Sequence, residues 1–271
     1  MAGRAKRGGT ALLVVVIVLG ALAFGARTLW RAAQSVVKPA GCDFGSYSLE
    51  PDQAQNASVI VGVVLTRELP ERAAVLTIGA ALQESKLRNI PPGQGDRDSV
   101  GILQQRPSQG WGTADQIADV RYATGKFLDA VVRVPHWQDD SLATVVQTVQ
   151  FSADGSAYAR HEDQAQAIAD ALFGDVAAKV SCRFAKPDRS ATPAAVATAL
   201  ARDLPVSNPA LAGKTVTVAD AGWATAAWFV CNADQLGIES VRHAGKRWSY
   251  SSGWKDDTGA ASSAVVATLA H

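Results

Sequence analysis

From Ala73 to Leu82 the chain carries no charge, and the run closes on Gln83-Glu84-Ser85. Pro70 stands just before it, at a first helical position where a missing N–H costs nothing. The stretch Pro70 to Ser85 therefore reads as an apolar helix with a lone acid at its end. At roughly 100° per residue, Arg72, Gly79, Gln83 and Lys86 share one narrow face, expected to be the wet one. Glu84 falls about 120–130° away, beside Thr77, Ala80 and Ala81. An acid is thus aimed where its neighbours are small and apolar, in a turn whose carbonyl ends carry negative partial charge. Burial and dipole both disfavour the carboxylate, so both push its pKa up. The plainer alternative is a helix-end acid paired with Arg88 or Lys86.

A carboxyl group with a raised pKa can donate a proton near neutral pH. Downstream, a loop rich in Pro, Gly and Asp runs from Asn89 to Gly112 and is expected to hold a small β-hairpin. Within it lies Ser99-Val100-Gly101-Ile102-Leu103-Gln104. Thr113-Ala114-Asp115-Gln116 has capping-box form and opens a further helix to about Val134, which Pro135 stops. Two more helices are expected, from Ser141 to about Phe151 and from about Ser156 to Phe173. Pro51 to Leu69 reads as a helix preceding all of these.

The N-terminus has a different character. Arg4, Lys6 and Arg7 precede an uncharged run from Gly8 to Ala26, closed by Arg27. Nineteen helical residues would span roughly 28 Å, about the hydrocarbon thickness of a bilayer. Positive charges ahead of the run would hold residues 1–7 in the cytoplasm and leave the rest outside. A single-pass signal-anchor is the expectation, with residues 27–41 as a stem. The rival is a cleaved signal peptide, whose apolar core is usually shorter. Three cysteines suit an extracytoplasmic chain. Cys42 and Cys182 bracket the first folded segment, and a bridge between them would staple its ends. Three unpaired buried thiols is the alternative, and Cys231 reads as core.

A polar segment at 183–193 separates residues 42–182 from a smaller α+β unit, 194–271. That unit has a helix near Ala194–Asp203, a strand at Thr215–Val218 and a helix ending near Leu236. Two strands follow, Glu239–His243 and Lys246–Tyr250, turned by Ala244-Gly245. The whole is expected to be mainly α. With 26 Lys+Arg against 25 Asp+Glu there is no basic surface for nucleic acid. His161-Glu162-Asp163-Gln164-Ala165 begins like a zinc-protease helix but lacks the second histidine, so no metal or other cofactor is expected.

Glu84-Ser85, followed by Gly101-Ile102-Leu103-Gln104, resembles the two leading motifs of lytic transglycosylases and goose-type lysozymes. Tyr158 is the counterpart of that group's third motif, although the asparagine usual after the tyrosine is Ala159 here. The string from Ala80 to Trp111 is also similar to a lysozyme-like domain of actinobacterial cell-wall and conjugation-associated proteins. The resemblance covers about residues 42–182. It implies a lysozyme-like helical fold and cleavage of the bond between N-acetylmuramic acid and N-acetylglucosamine, with Glu84 as the acid. A transglycosylase needs only that acid, and this class is slightly favoured. An inverting muramidase needs a second carboxylate roughly 6.5–9.5 Å away. Asp96 or Asp98 could serve, or they could simply form a solvated turn. Ser85, Gln104, Gln105, Trp111 and Tyr158 are the candidate substrate-binding residues, with packing roles as the alternative for Trp111 and Tyr158. Peptidoglycan strands, the membrane and proteins of a cell-wall or secretion complex are the implied partners. A non-catalytic glycan-binding scaffold is the alternative function.

Overall fold

A computed structural model describes residues 20, 25–27, 40–150, 155–187, 191–259 and 263–270. Residues 40–271 form one compact unit, distinct from residues 1–39. The chain is mixed α/β, with 46% helix and 18% strand, which corrects the mainly α expectation. The excess strand comes from segments of three to five residues, too short to show a clear alternation. β1 (Gly41–Phe44) sits between β2 (Tyr47–Leu49) and β3 (Val180–Arg183) in an antiparallel sheet.

Helices follow in the order α1 (Pro51–Thr66), α2 (Glu71–Ser85), α3 (Ala114–Ala118), α4 (Val120–Val131), α5 (Leu142–Gln150), α6 (Ser156–Ala159) and α7 (Glu162–Phe173). α2 is the axis. Residues 73–82 are all buried, and α1, α4, α5, α6 and α7 pack around it. Gly79, expected on a wet face, is buried because α5 crosses there. A Cβ at this position would run into the Leu142 side chain. Pro70 is the N-cap of α2 in extended conformation and not its first helical residue. Asp119 leaves the helical region and caps α4 through the Arg121 N–H, so the single helix expected from Thr113 to Val134 is two.

The second half adds α8 (Pro193–Asp203), β4 (Ala210–Ala212), β5 (Thr215–Val218), α9 (Trp223–Cys231), α10 (Ala233–Leu236), β6 (Ile238–His243), β7 (Lys246–Ser249), β8 (Gly253–Asp256) and β9 (Val265–Leu269). These strands form one antiparallel sheet in the order β4-β5-β9-β6-β7-β8. α9 is apolar all round and is buried between that sheet and helices α1 and α7, as such a helix must be. Asp203, 3% exposed, ends α8 and accepts hydrogen bonds from Arg121 of α4 (Nε, 2.6 Å) and Trp228 Nε1 of α9 (3.0 Å). The small sheet meets the large one where Trp248 Nε1 donates to the Cys182 carbonyl (3.0 Å) and Trp254 Nε1 to that of Val180 (2.7 Å).

Two further expectations are corrected. The loop between α2 and α3 holds no hairpin strands among its described residues. It has two isolated bridges, Ile90 to Gly101 and Val100 to Gln105, because Pro91-Pro92 and the left-handed Arg97 and Gln104 interrupt any ladder. Nor does any described helix have the length and apolarity to cross a membrane. The longest, α1, has 16 residues and spans about 24 Å. The segment expected to span, 8–26, lies outside the described residues except for Gly20, Gly25 and Ala26. The signal-anchor and the membrane localisation that rested on it are therefore withdrawn.

Cys42 and Cys182 face each other in the β1–β3 register and are disulfide-bonded across 140 residues. A loop of that size gives about 5 kcal/mol in the chain-entropy account, with measured values usually lower. The Cys42→Ser/Cys182→Ser double variant should lose about 2–5 kcal/mol in a urea titration; an unchanged midpoint would deny the bridge a stabilising role. At the start of α2, Glu71 lies beside Asp170 and Asp175. Burial, then the hydrogen bond and charge of Asp170, push its carboxyl up to about 7. The folded state thus holds this proton more tightly than the unfolded chain. Its contribution is full below the ordinary value of 4.5 and is lost as pH rises through about 7. Glu71→Gln should shrink the loss of stability between pH 5 and pH 8 by about 1–2 kcal/mol after allowance for solvent screening. Urea titrations at the two pH values check this.

Candidate active site

Three consecutive side chains at the end of α2 are each engaged, the first two by α6 and the residues that end it and the third by the α2–α3 loop. Gln83 Oε1 accepts from the Arg160 guanidinium (2.9 Å), and His161 Nε2 lies 3.1 Å from the same oxygen. Glu84 Oε1 accepts from the Tyr158 hydroxyl at 2.5 Å. Ser85, buried, donates to the Ile102 carbonyl at 2.7 Å and so ties the helix to the turn that follows. Lys86 then ends the helix in the left-handed conformation. The side chains on both sides of Glu84 are thus held by hydrogen bonds.

Glu84 itself is half-buried. Desolvation raises its pKa, and hydrogen bonds from Tyr158 and Gln150 partly offset the rise by favouring the carboxylate. Arg88, the alternative partner, instead bridges Glu50 (2.7 Å) and Asp52 (3.0 Å) on the other side of the helix end. No cation therefore holds Glu84 ionised through the pairing considered for Arg88. Gln150, at the end of α5, was not foreseen. It also donates to the Leu103 carbonyl at 3.0 Å, which links the acid to the same turn that Ser85 grips. Its signal was faint: a polar residue ending a helix whose inward stripe is Leu142, Val145, Val146 and Val149.

The other candidates divide. Tyr158 is 2% exposed, so its ring packs in the core while its hydroxyl reaches the acid. Gln104 adopts a left-handed conformation and donates to the Gly101 carbonyl (2.9 Å), closing the turn on itself. Gly95 lies against this turn, and a Cβ there would meet the Ser99 carbonyl and Gln104 Oε1. Gln105 does not face outward. It is 1% exposed and donates to the Ala123 carbonyl of α4 (3.1 Å). Trp111 is partly buried against the core.

Asp98 is held by the Ser108 hydroxyl, then by the Ser108 N–H (2.8 Å) and the Arg106 guanidinium (3.3 Å). These contacts keep its carboxyl below the usual range. Its oxygens fasten the loop. Asp96 is exposed, with its side chain 89% open to solvent. Elsewhere, Cys231 is buried and its thiol is held above its ordinary range by desolvation, so it is no nucleophile. Among the described residues no group of three or more His, Cys, Asp or Glu is placed to hold a metal ion.

Desolvation thus favours the protonated form of Glu84, while one phenol and one amide in contact with it favour the ionised form. Removing a donor to the carboxylate destabilises the charged state. Tyr158→Phe should therefore raise the Glu84 pKa further, as read by carboxyl-carbon NMR titration; a fall would mean that the phenol is not its donor. No protein-family model matches the chain, and no curated protein matches it.

Proposed function

We propose that the chain cleaves the glycosidic bond between N-acetylmuramic acid and N-acetylglucosamine in peptidoglycan, as a lytic transglycosylase with Glu84 as its acid and base. The observation that carries this reading is a single half-buried carboxyl with a raised pKa, held by Tyr158 at 2.5 Å.

In the first step, protonated Glu84 gives its proton to the bridging oxygen. The bond from that oxygen to C1 of the muramic sugar breaks, and the leaving sugar keeps the proton as a 4-hydroxyl. Tyr158 and Gln150 then stabilise the carboxylate that Glu84 has become. In the second step, the 6-hydroxyl of the muramic sugar attacks C1 and passes its proton to Glu84. The product is a 1,6-anhydro sugar, no water is consumed, and Glu84 returns protonated. The transglycosylase is favoured over the muramidase because Asp98 is engaged by Ser108 and Arg106, and Asp96 lies open to solvent. Neither resembles a base poised over a trapped water.

Purified peptidoglycan incubated with the protein and with Glu84→Gln, with fragments read by mass spectrometry, tests the proposal. Anhydro-ended fragments are expected from the wild type, reduced at least about a hundredfold by the substitution. The rate should fall on the alkaline side as Glu84 loses its proton. Hydrated reducing ends would make the enzyme a muramidase, and fragment release that survives Glu84→Gln would remove Glu84 from the chemistry.

A further inference from the structure

The solvent face of the large sheet carries a charge arrangement that folding does not explain. Arg242, Arg247 and Lys255 are direct cross-strand neighbours on β6, β7 and β8, a row of three cations. Like charges directly opposite one another destabilise a sheet. Only the first is neutralised: Arg242 Nε binds Asp257 at 2.6 Å. On the same strands, Asp256 is held by Lys246 at 2.7 Å. Arg247 and Lys255 have no ion-pair partner among the described residues, although the field of Arg247 reaches the already bonded Asp257.

These two cations stand in the wall of a cavity of about 420 Å³, within the range of small-ligand sites. Ser249, Tyr250, Ser251 and Ser252 line it with them, and Ser249 Oγ and Ser252 Oγ lie 2.7 Å apart. Asp256 and Asp257, already bonded to Lys246 and Arg242, line the cavity too, and so does Glu239. It is the extra residue where the β6–β9 register shifts between Ile238 and Ser240, and a bulge of this kind re-aims a side chain. No ion pair within 4.0 Å holds Glu239 among the described residues. One cavity thus presents two unpaired cations, one unpaired acid, two acids already ion-paired to Arg242 and Lys246, and a polar lining.

We infer that this cavity is a binding site for a small zwitterion, a peptide end or diamino acid whose carboxylate meets Arg247 and Lys255 and whose ammonium meets Glu239. A polyanion fits less well, since Glu239 would repel it. The site is far in sequence from Glu84, and its occupancy is read without wall cleavage, so its outcome is independent of the glycosidase proposal.

Calorimetric titration of the full chain tests it with four probes: the dipeptide Ala-Lys, its C-terminal amide, its diacetylated form and inorganic phosphate. Ala-Lys should bind, with the amide and the diacetylated peptide each at least about tenfold weaker. Arg247→Gln/Lys255→Gln should abolish binding of Ala-Lys, and Glu239→Gln should erase the difference between Ala-Lys and its diacetylated form. All three residues are on the surface side, so the variants should fold. Relief of the cation row should leave the melting temperature of the double variant equal to or above that of the wild type. Phosphate binding as tight as Ala-Lys, binding unchanged by the substitutions, or no binding of Ala-Lys would each overturn the inference.

Discussion

Burial of α2 on every side is the constraint from which the rest of the molecule takes its arrangement. A helix with no charge between Ala73 and Leu82 leaves water only if other elements cover it all round. Five helices do so, and Gly79 lets Leu142 of α5 approach where any side chain would hold it off. The polar residues of the helix are pushed to its two ends. At one end Glu71 meets Asp170, and Arg72 binds Glu162 at 2.8 Å. At the other stand Gln83, Glu84 and Ser85. The candidate acid is therefore mounted on the most tightly packed element of the fold, and its neighbours are fastened by hydrogen bonds to α5, α6 and the α2–α3 loop. A group that must donate and recover a proton at one place gains from such a mounting.

What the sequence could disclose follows the range of the interactions. Local signals held: Thr113 and Gln116 cap α3 reciprocally, at 3.3 and 3.0 Å, and Ala244-Gly245 turns β6 into β7. The apolar α2 and the acid at its end were equally plain, because both are written in one stretch of chain. The wet face assigned to it was not, since nothing near Gly79 announces that Leu142 will cover it. Strands of three to five residues carry little periodicity; β1 and β3 pair far along the chain, and β4 and β8 exist only as the edges of short hairpins. β9 is a different case: Val265 to Leu269 alternates inward and outward in a readable pattern. Gln105 shows the limit for polar residues. A glutamine in a loop beside an acid invites a ligand role, yet its amide satisfies the Ala123 carbonyl inside the protein.

The two carboxylates that next follow Glu84 in the chain differ from it through environment alone. Glu84 has lost water and meets two neutral donors; Asp98 has a cation and an N–H; Asp96 keeps its water. The same functional group is thereby set to three different purposes within fifteen residues, which no motif that reads residue types alone could separate.

Asp203 has a wider reach than its size suggests. Its carboxylate gathers Arg121 from the helical part and Trp228 from the helix beneath the large sheet, while its carbonyl lies against Gly62 of α1. Removing the sheet half would strip the indole from that carboxylate and uncover the flank of α1 that α9 shields. The C-terminal half is therefore no exchangeable cassette. Recombination could not graft it onto another chain, or delete it from this one, without the helical part losing a wall of its own core, so the two halves must be inherited together.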